Sequence, residues 1–214
     1  MGERKMAEKW EIIMDACLAL SESGKEECIS IIRQGYPFDP KARLKQVKCE
    51  ACVPTDGKAE TLRCWDENQS LKMKMFARDG FINRFTGQQL IFPAVLRLLS
   101  KEFPRDFPYQ QYWRFGEVHL AYHEVGACTC RLVPEGLGGM EDEGNLITTT
   151  MPYILARSNV TIEEAGWKLT REGYVDEWDG MSTWFVEYVK DNPELRNINF
   201  FNLWYNAAKK VLEL

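Results

Sequence analysis

Apolar positions recur at helical spacing from the start of the chain, where Met6, Trp10, Ile13, Met14, Cys17 and Leu20 form one stripe. Ser21-Glu22-Ser23-Gly24 interrupts the stripe, and Cys28, Ile29, Ile31 and Ile32 carry a second helix that ends at Gly35, ahead of Pro37 and Pro40. Together they predict a helical hairpin. Residues 47–63 contain Pro54, Asp56 and Gly57 with little periodicity and read as a loop. A helix is predicted again from Glu67 through Leu71, Met75 and Phe76, stopping at Asp79-Gly80; residues 81–90 then alternate around Thr86-Gly87 as a β-hairpin would. Pro93 suits the first turn of a helix carrying Val95, Leu96, Leu98 and Leu99.

In the second half, strands are predicted at residues 118–122 and 128–133, followed by a Gly-rich acidic loop over 134–144. Residues 146–158 read as a short segment, helical from Met151, with Pro152 in the first turn. Thr161-Ile162-Glu163-Glu164 has the form of a capping box opening another helix. Two final helices, over 181–189 and 199–212, place Trp184, Phe185, Tyr188, Phe200, Phe201, Trp204 and Tyr205 at the spacing of core residues. The expected class is α+β, in one body: a helical hairpin over 1–48, a linker over 49–66, a core over 67–168 and a helical extension over 169–214.

Composition alters this picture in three places. No apolar run approaches the roughly 18 residues of a membrane span, and Met1-Gly2-Glu3-Arg4-Lys5 leads into mixed charge, so the expectation is a cytoplasmic protein without a membrane partner. Seven cysteines, an odd number, fit reduced thiols better than a disulfide framework. Cys49-x-x-Cys52 and Cys128-x-Cys130 form a weak candidate zinc set, the two pairs standing far apart in sequence. Finally, the net charge of −5 hides a basic middle: residues 30–114 carry 15 Lys and Arg against 9 Asp and Glu, whereas residues 115–214 carry 8 against 16. Lys72, Lys74, Arg78, Arg84 and Arg131 are the candidate nucleic-acid contacts, with an ordinary solvated surface as the alternative.

Three passages carry a more specific signal. The first is Ala77-Arg78-Asp79-Gly80-Phe81-Ile82-Asn83-Arg84-Phe85-Thr86-Gly87 with Leu90-Ile91-Phe92-Pro93. The second runs from Val118-His119-Leu120-Ala121-Tyr122 through Val133-Pro134 and Gly138-Gly139 to Asn145-Leu146-Ile147-Thr148-Thr149-Thr150-Met151. The third comprises Ile162-Glu163-Glu164-Ala165-Gly166-Trp167 and Glu177-Trp178-Asp179-Gly180. In this order they resemble a bacterial family of HNH endonucleases. The resemblance implies a ββα-metal fold, in which a hairpin and a helix surround one divalent ion and cut nucleic acid.

In that chemistry a histidine takes a proton from water and a helix residue binds the metal that stabilises the leaving oxygen. The resemblance puts Cys130 at the acidic ligand, Arg131 at the catalytic histidine, Asn145 at the central position and Ile154 at the helix ligand. A guanidinium has donors only, and a soft sulfur replaces an oxygen ligand poorly. Asn83 and Thr86 stand where the first cysteine pair of a structural zinc would be. The chain therefore reads as a degenerate member, a pseudo-nuclease without cofactor, acting by binding nucleic acid or a protein partner. One alternative is an active metal-dependent endonuclease with a rearranged site drawn from His119, His123 and Asn145. Another is a regulatory or inhibitory protein in bacterial or phage conflict.

Overall fold

The computed structural model describes residues 7–44, 47–49, 68–157 and 159–214. Helix α1 (Lys9–Glu22) begins with reciprocal capping between Glu8 and Glu11, and α2 (Lys25–Gly35) begins at Gly24, whose φ of 93° suits a residue without Cβ. The two pack side by side, burying Ile13, Ala16 and Cys17 of one and Cys28 and Ile32 of the other. Met6, the first residue of the predicted stripe, and most of the predicted loop over 47–63 lie outside the described residues, as does most of the linker over 49–66.

Helix α3 (Gln69–Arg78) ends at Asp79-Gly80, and α4 (Pro93–Glu102) starts on its proline. A single turn, α5 (Ala121–Glu124), precedes strand β1 (Cys128–Arg131). Strand β2 (Leu146–Thr149) leads directly into α6 (Met151–Arg157). Two helices close the chain, α7 (Ser182–Asp191) and α8 (Asn199–Val211). Among the described residues the sheet has two antiparallel strands, pairing Cys128 with Thr149, Cys130 with Ile147 and Arg131 with Leu146. The class is α+β.

Four local expectations change, each for a physical reason. The hairpin over 81–90 contracts to one bridge, Ile82 with Gln89, because the backbone of Arg84 is spent elsewhere: its N–H donates to the Thr148 carbonyl (3.0 Å) and its carbonyl accepts from Thr170 N–H (2.7 Å). Residues 118–122 form no strand. The buried apolar residues Val118, Ala121, Tyr122 and Val125 follow helical spacing, with His119 and His123 buried beside them, and a turn ending in α5 satisfies it. Leu146–Thr149 is a strand whose four positions are all buried, so no alternation marked it in the sequence. At Thr161 the capping box closes, with Thr161 N–H on Glu164 Oε2 (2.7 Å) and Glu164 N–H on Thr161 Oγ1 (3.2 Å), but it caps only turns that run out at Gly166.

The core takes Ile13 and Ile32 from the N-terminal hairpin, Phe76, Phe92 and Leu96 from the middle, and Phe185, Phe201 and Trp204 from the last helices. Phe92 is its hub, with ring centroids 5.3 Å from Trp204, 5.5 Å from Phe185 and 6.1 Å from Phe81. The C-terminal aromatics thus supply packing area and edge-to-face contacts.

Beneath the sheet lies a buried ionic knot. The Asp79 carboxylate is fully buried and accepts from Arg78 Nε (2.9 Å), Arg84 Nη1 (2.8 Å) and the backbone N–H of Thr148 in β2 (2.7 Å). Its carbonyl accepts from Gly173 N–H (3.1 Å), so the C-terminal extension is tied to the same residue. Gly80 must be glycine there: φ is 65°, and a Cβ would come within 2.4 Å of the Gly173 backbone. Asp79→Asn should destabilise the fold by about 3 kcal/mol or more, because it leaves the buried Arg84 without its nearest anion. Urea unfolding of the two proteins checks this.

Candidate functional site

Strand β1, a 14-residue connection, β2 and α6 place the four motif positions in one continuous unit. Cys130 is buried on β1, paired across the sheet with Ile147. Arg131 follows at the strand end, with Nη2 2.8 Å from Glu141 and Nη1 3.5 Å from Glu135. Both glutamates belong to the connection, so the charge that Arg131 brings to this spot is met from within the chain. Ile154 sits half-buried on α6 against the hydrophobic core and has no donor atom for a metal. Arginine and isoleucine at these positions do not fit the divalent ion that the resemblance implies.

Asn145 braces the connection. Its Oδ1 accepts from Val133 N–H (2.7 Å), and its Nδ2 donates to the carbonyls of Val133 (3.0 Å) and Met140 (2.7 Å). Every hydrogen-bonding direction of the amide except one acceptor lobe is used. Gly139 lies inside this clamp, where a Cβ would meet the Val133 carbonyl oxygen at 1.8 Å and Asn145 Nδ2 at 2.7 Å.

Both histidines are buried. His119 is completely buried, stacked on Phe107 at 4.0 Å. Its Nδ1 accepts from Ala121 N–H (3.2 Å), which makes Nε2 the protonated nitrogen, donating to the Tyr36 carbonyl at 2.8 Å. Burial pushes its pKa down to about 4. His123 lies between Phe115 (4.6 Å, stacked) and Trp113 (5.6 Å, edge-on). Neither of its ring nitrogens makes a well-formed hydrogen bond, although the Trp113 backbone faces the ring, and burial lowers its pKa to about 4 as well. The adjacent Glu124 carboxylate is engaged by the Tyr36 hydroxyl and the Lys9 ammonium. A general base needs access to water, and both rings are walled off.

The predicted phosphate contacts are also largely committed. Arg84 is buried on Asp79, with Nε 3.2 Å from the Thr170 carbonyl, and Lys72 is buried on α3; neither can reach a solvent-borne phosphate without unpacking. Arg78 bonds Asp79 and the carbonyls of Glu143 and Leu146 (both 2.7 Å), while Lys74 pairs with Glu143 at 2.7 Å on the surface. Lys74 and Arg78 thus hold the acidic connection, and Arg78 with the Arg84 backbone holds β2. Of the zinc candidates, Cys49 is disulfide-bonded, Cys128 and Cys130 are buried thiols on β1, and Cys52 lies outside the described residues. At Asn83, which stands where the resemblance has a zinc-binding cysteine, Oδ1 accepts from Thr149 Oγ1 (3.1 Å) and Phe85 N–H (3.1 Å), so hydrogen bonds join the turn to β2.

A cavity of about 570 Å³ opens beside this turn, lined by Phe85, Tyr153, Trp167, Lys48 and Lys168. The three rings form a cluster: Phe85 stacks on Tyr153 at 5.1 Å, and Trp167 meets them edge-on at 5.0 and 5.3 Å. Trp167 Nε1 donates to the Lys48 carbonyl at 2.7 Å, fixing the indole. These residues come from four separate stretches without common spacing, so no pattern along the chain groups them. Comparisons with protein-family models, curated proteins and solved structures return no match.

Two outcomes follow. The folded-state pKa values of His119 and His123 lie below that of an exposed histidine, so the unfolded chain takes up their protons first as pH falls through about 6.5. The stability they allow is complete above that pH and declines down to about pH 4. By pH 4.5 each should cost roughly 2 to 3 kcal/mol, and His123→Phe should flatten part of the slope in urea midpoints measured from pH 7.5 to 4.5. Separately, Gly139→Ala or Asn145→Ala should open the connection and speed exchange of the Val133 amide at least tenfold, with the α-helical circular dichroism unchanged.

Proposed function

We propose that the protein is a degenerate HNH-type nuclease that binds without cutting. The observation that carries this reading is the Arg131 site. In the order strand, connection, strand, helix, the position assigned to the general base holds a guanidinium ion-paired to Glu135 and Glu141, and the position assigned to the helix ligand holds Ile154. A protonated group that cannot accept a proton, together with a helix position whose side chain cannot bind a cation, has no route to hydrolysis by this mechanism.

The ion pairs also speak against Arg131 as a phosphate anchor, since an incoming phosphate would have to displace two carboxylates and face Asp142 and Glu143 beside them. The partner is therefore either nucleic acid held away from the vacated site or another protein. Salt separates these, because counterion release makes phosphate binding fall steeply with ionic strength and a protein interface of ordinary polarity lacks that slope.

Purified protein incubated with supercoiled DNA, linear DNA and RNA in magnesium, manganese, nickel or zinc should leave all substrates intact. Cutting that survives an Arg131→Ala change would show a rearranged active site and overturn the reading. Cutting lost in His123→Phe would name the base.

A further inference from the structure

We propose that the cavity bounded by Phe85, Tyr153 and Trp167 is a nucleotide site, in which a base lies against the rings and its phosphate is held by Lys48 and Lys168. The volume, about 570 Å³, falls within the range of small-molecule sites, although the cleft is open to solvent and its lining is as much polar as apolar. Three features give the ligand its chemistry. The rings are half-buried, so each offers part of its surface to the cavity while the rest is packed. The Trp167 indole is held in place through its hydrogen bond to the Lys48 carbonyl, which means that it need not be ordered when a ring stacks on it. Lys48 and Lys168 are exposed at the cavity, and neither ammonium joins an ion pair among the described residues, in contrast to Lys9, Lys25, Lys74 and Lys101.

A planar aromatic body with negative charge at one end matches this lining. A purely apolar ligand would leave two cations idle, and a free inorganic anion would leave the rings idle. Stacking on aromatic faces tolerates every base, so the site selects a nucleotide without selecting its sequence. The nucleotide comes either as a free mononucleotide or as one unit of a single strand, and these differ in what lies beyond the cavity. The site does not depend on the nuclease resemblance for its chemistry. It adds to the binding reading a place, away from Arg131, where nucleic acid could be held.

The test uses the full chain, with isothermal calorimetry and Trp fluorescence on adenosine, adenosine 5′-monophosphate and an eight-residue dT strand. The expected result is saturable binding of the monophosphate at least tenfold tighter than adenosine, and quenching that disappears in Trp167→Phe. The Lys48→Ala/Lys168→Ala double variant, with surface changes that leave thermal unfolding unmoved, should lose that tenfold. The dT strand binding with a logarithmic salt slope of about −0.7, for the one phosphate held, assigns the site to single strands; binding of the monophosphate alone assigns it to free nucleotides. Equal affinity for adenosine and its monophosphate, binding unchanged in the double variant, or no saturable binding of either probe overturns the proposal. None of these results bears on cutting, so failure here leaves the inert-nuclease reading intact, and a positive nuclease assay leaves the nucleotide site intact.

Discussion

A carboxylate buried without water must be surrounded by donors, and Asp79 is where this chain meets that demand. The group collects two guanidinium contacts and a backbone N–H from β2, while its own carbonyl receives Gly173. Each donor belongs to a different piece of the fold, so satisfying one charge fixes the end of α3, the turn after it, the sheet and the start of the C-terminal extension relative to one another. The cost of desolvating the Asp79 carboxylate is offset only when Arg78, Arg84 and the Thr148 N–H are all in place, which makes this site a specifier of arrangement more than a source of net stability. Gly80 enforces the same geometry by steric means.

That knot also explains why the sequence was legible in some places and misleading in others. Helices with a stripe and a punctuating Gly or Pro, such as α2 and α4, are local structures and could be read locally. Strand β2 could not, since all its positions face protein. The turn at 81–90 looked like a free hairpin because nothing in its alternation shows that Arg84 will pair with Thr148 and Thr170. The same holds for charge. Counting Lys and Arg over 30–114 gives the correct excess, but the count cannot show that Arg84 is buried and Arg78 is spent on Asp79 and two carbonyls. The motif marks Asn145 as a central position, but its hold on the Val133 and Met140 backbone is visible only in the fold, and the ring cluster of Phe85, Tyr153 and Trp167 likewise exists only in three dimensions.

The connection between β1 and β2 is held by neutral and ionic contacts of short range: the Asn145 clamp, the Asp142 side chain on the N–H groups of Gly144 and Asn145, and the pairs to Arg131 and Lys74. Acidic residues along it are matched by basic ones from α3 and β1. What the segment shows to solvent is consequently apolar as much as charged, with Val133, Leu137 and Met140 exposed.

The N-terminal hairpin touches the far end of the chain at several points: Trp10 packs edge-on against Trp178 at 4.8 Å, and Trp184 Nε1 donates to Ser21 Oγ at 2.9 Å. During synthesis, α1 and α2 emerge from the ribosome well before these tryptophans exist. Until they do, Trp10 and part of the hairpin's apolar side remain uncovered, and a chain interrupted before residue 178 would carry that surface into the cell with nothing of its own to place on it. The last quarter of the sequence thus acts as the step that completes folding of the first.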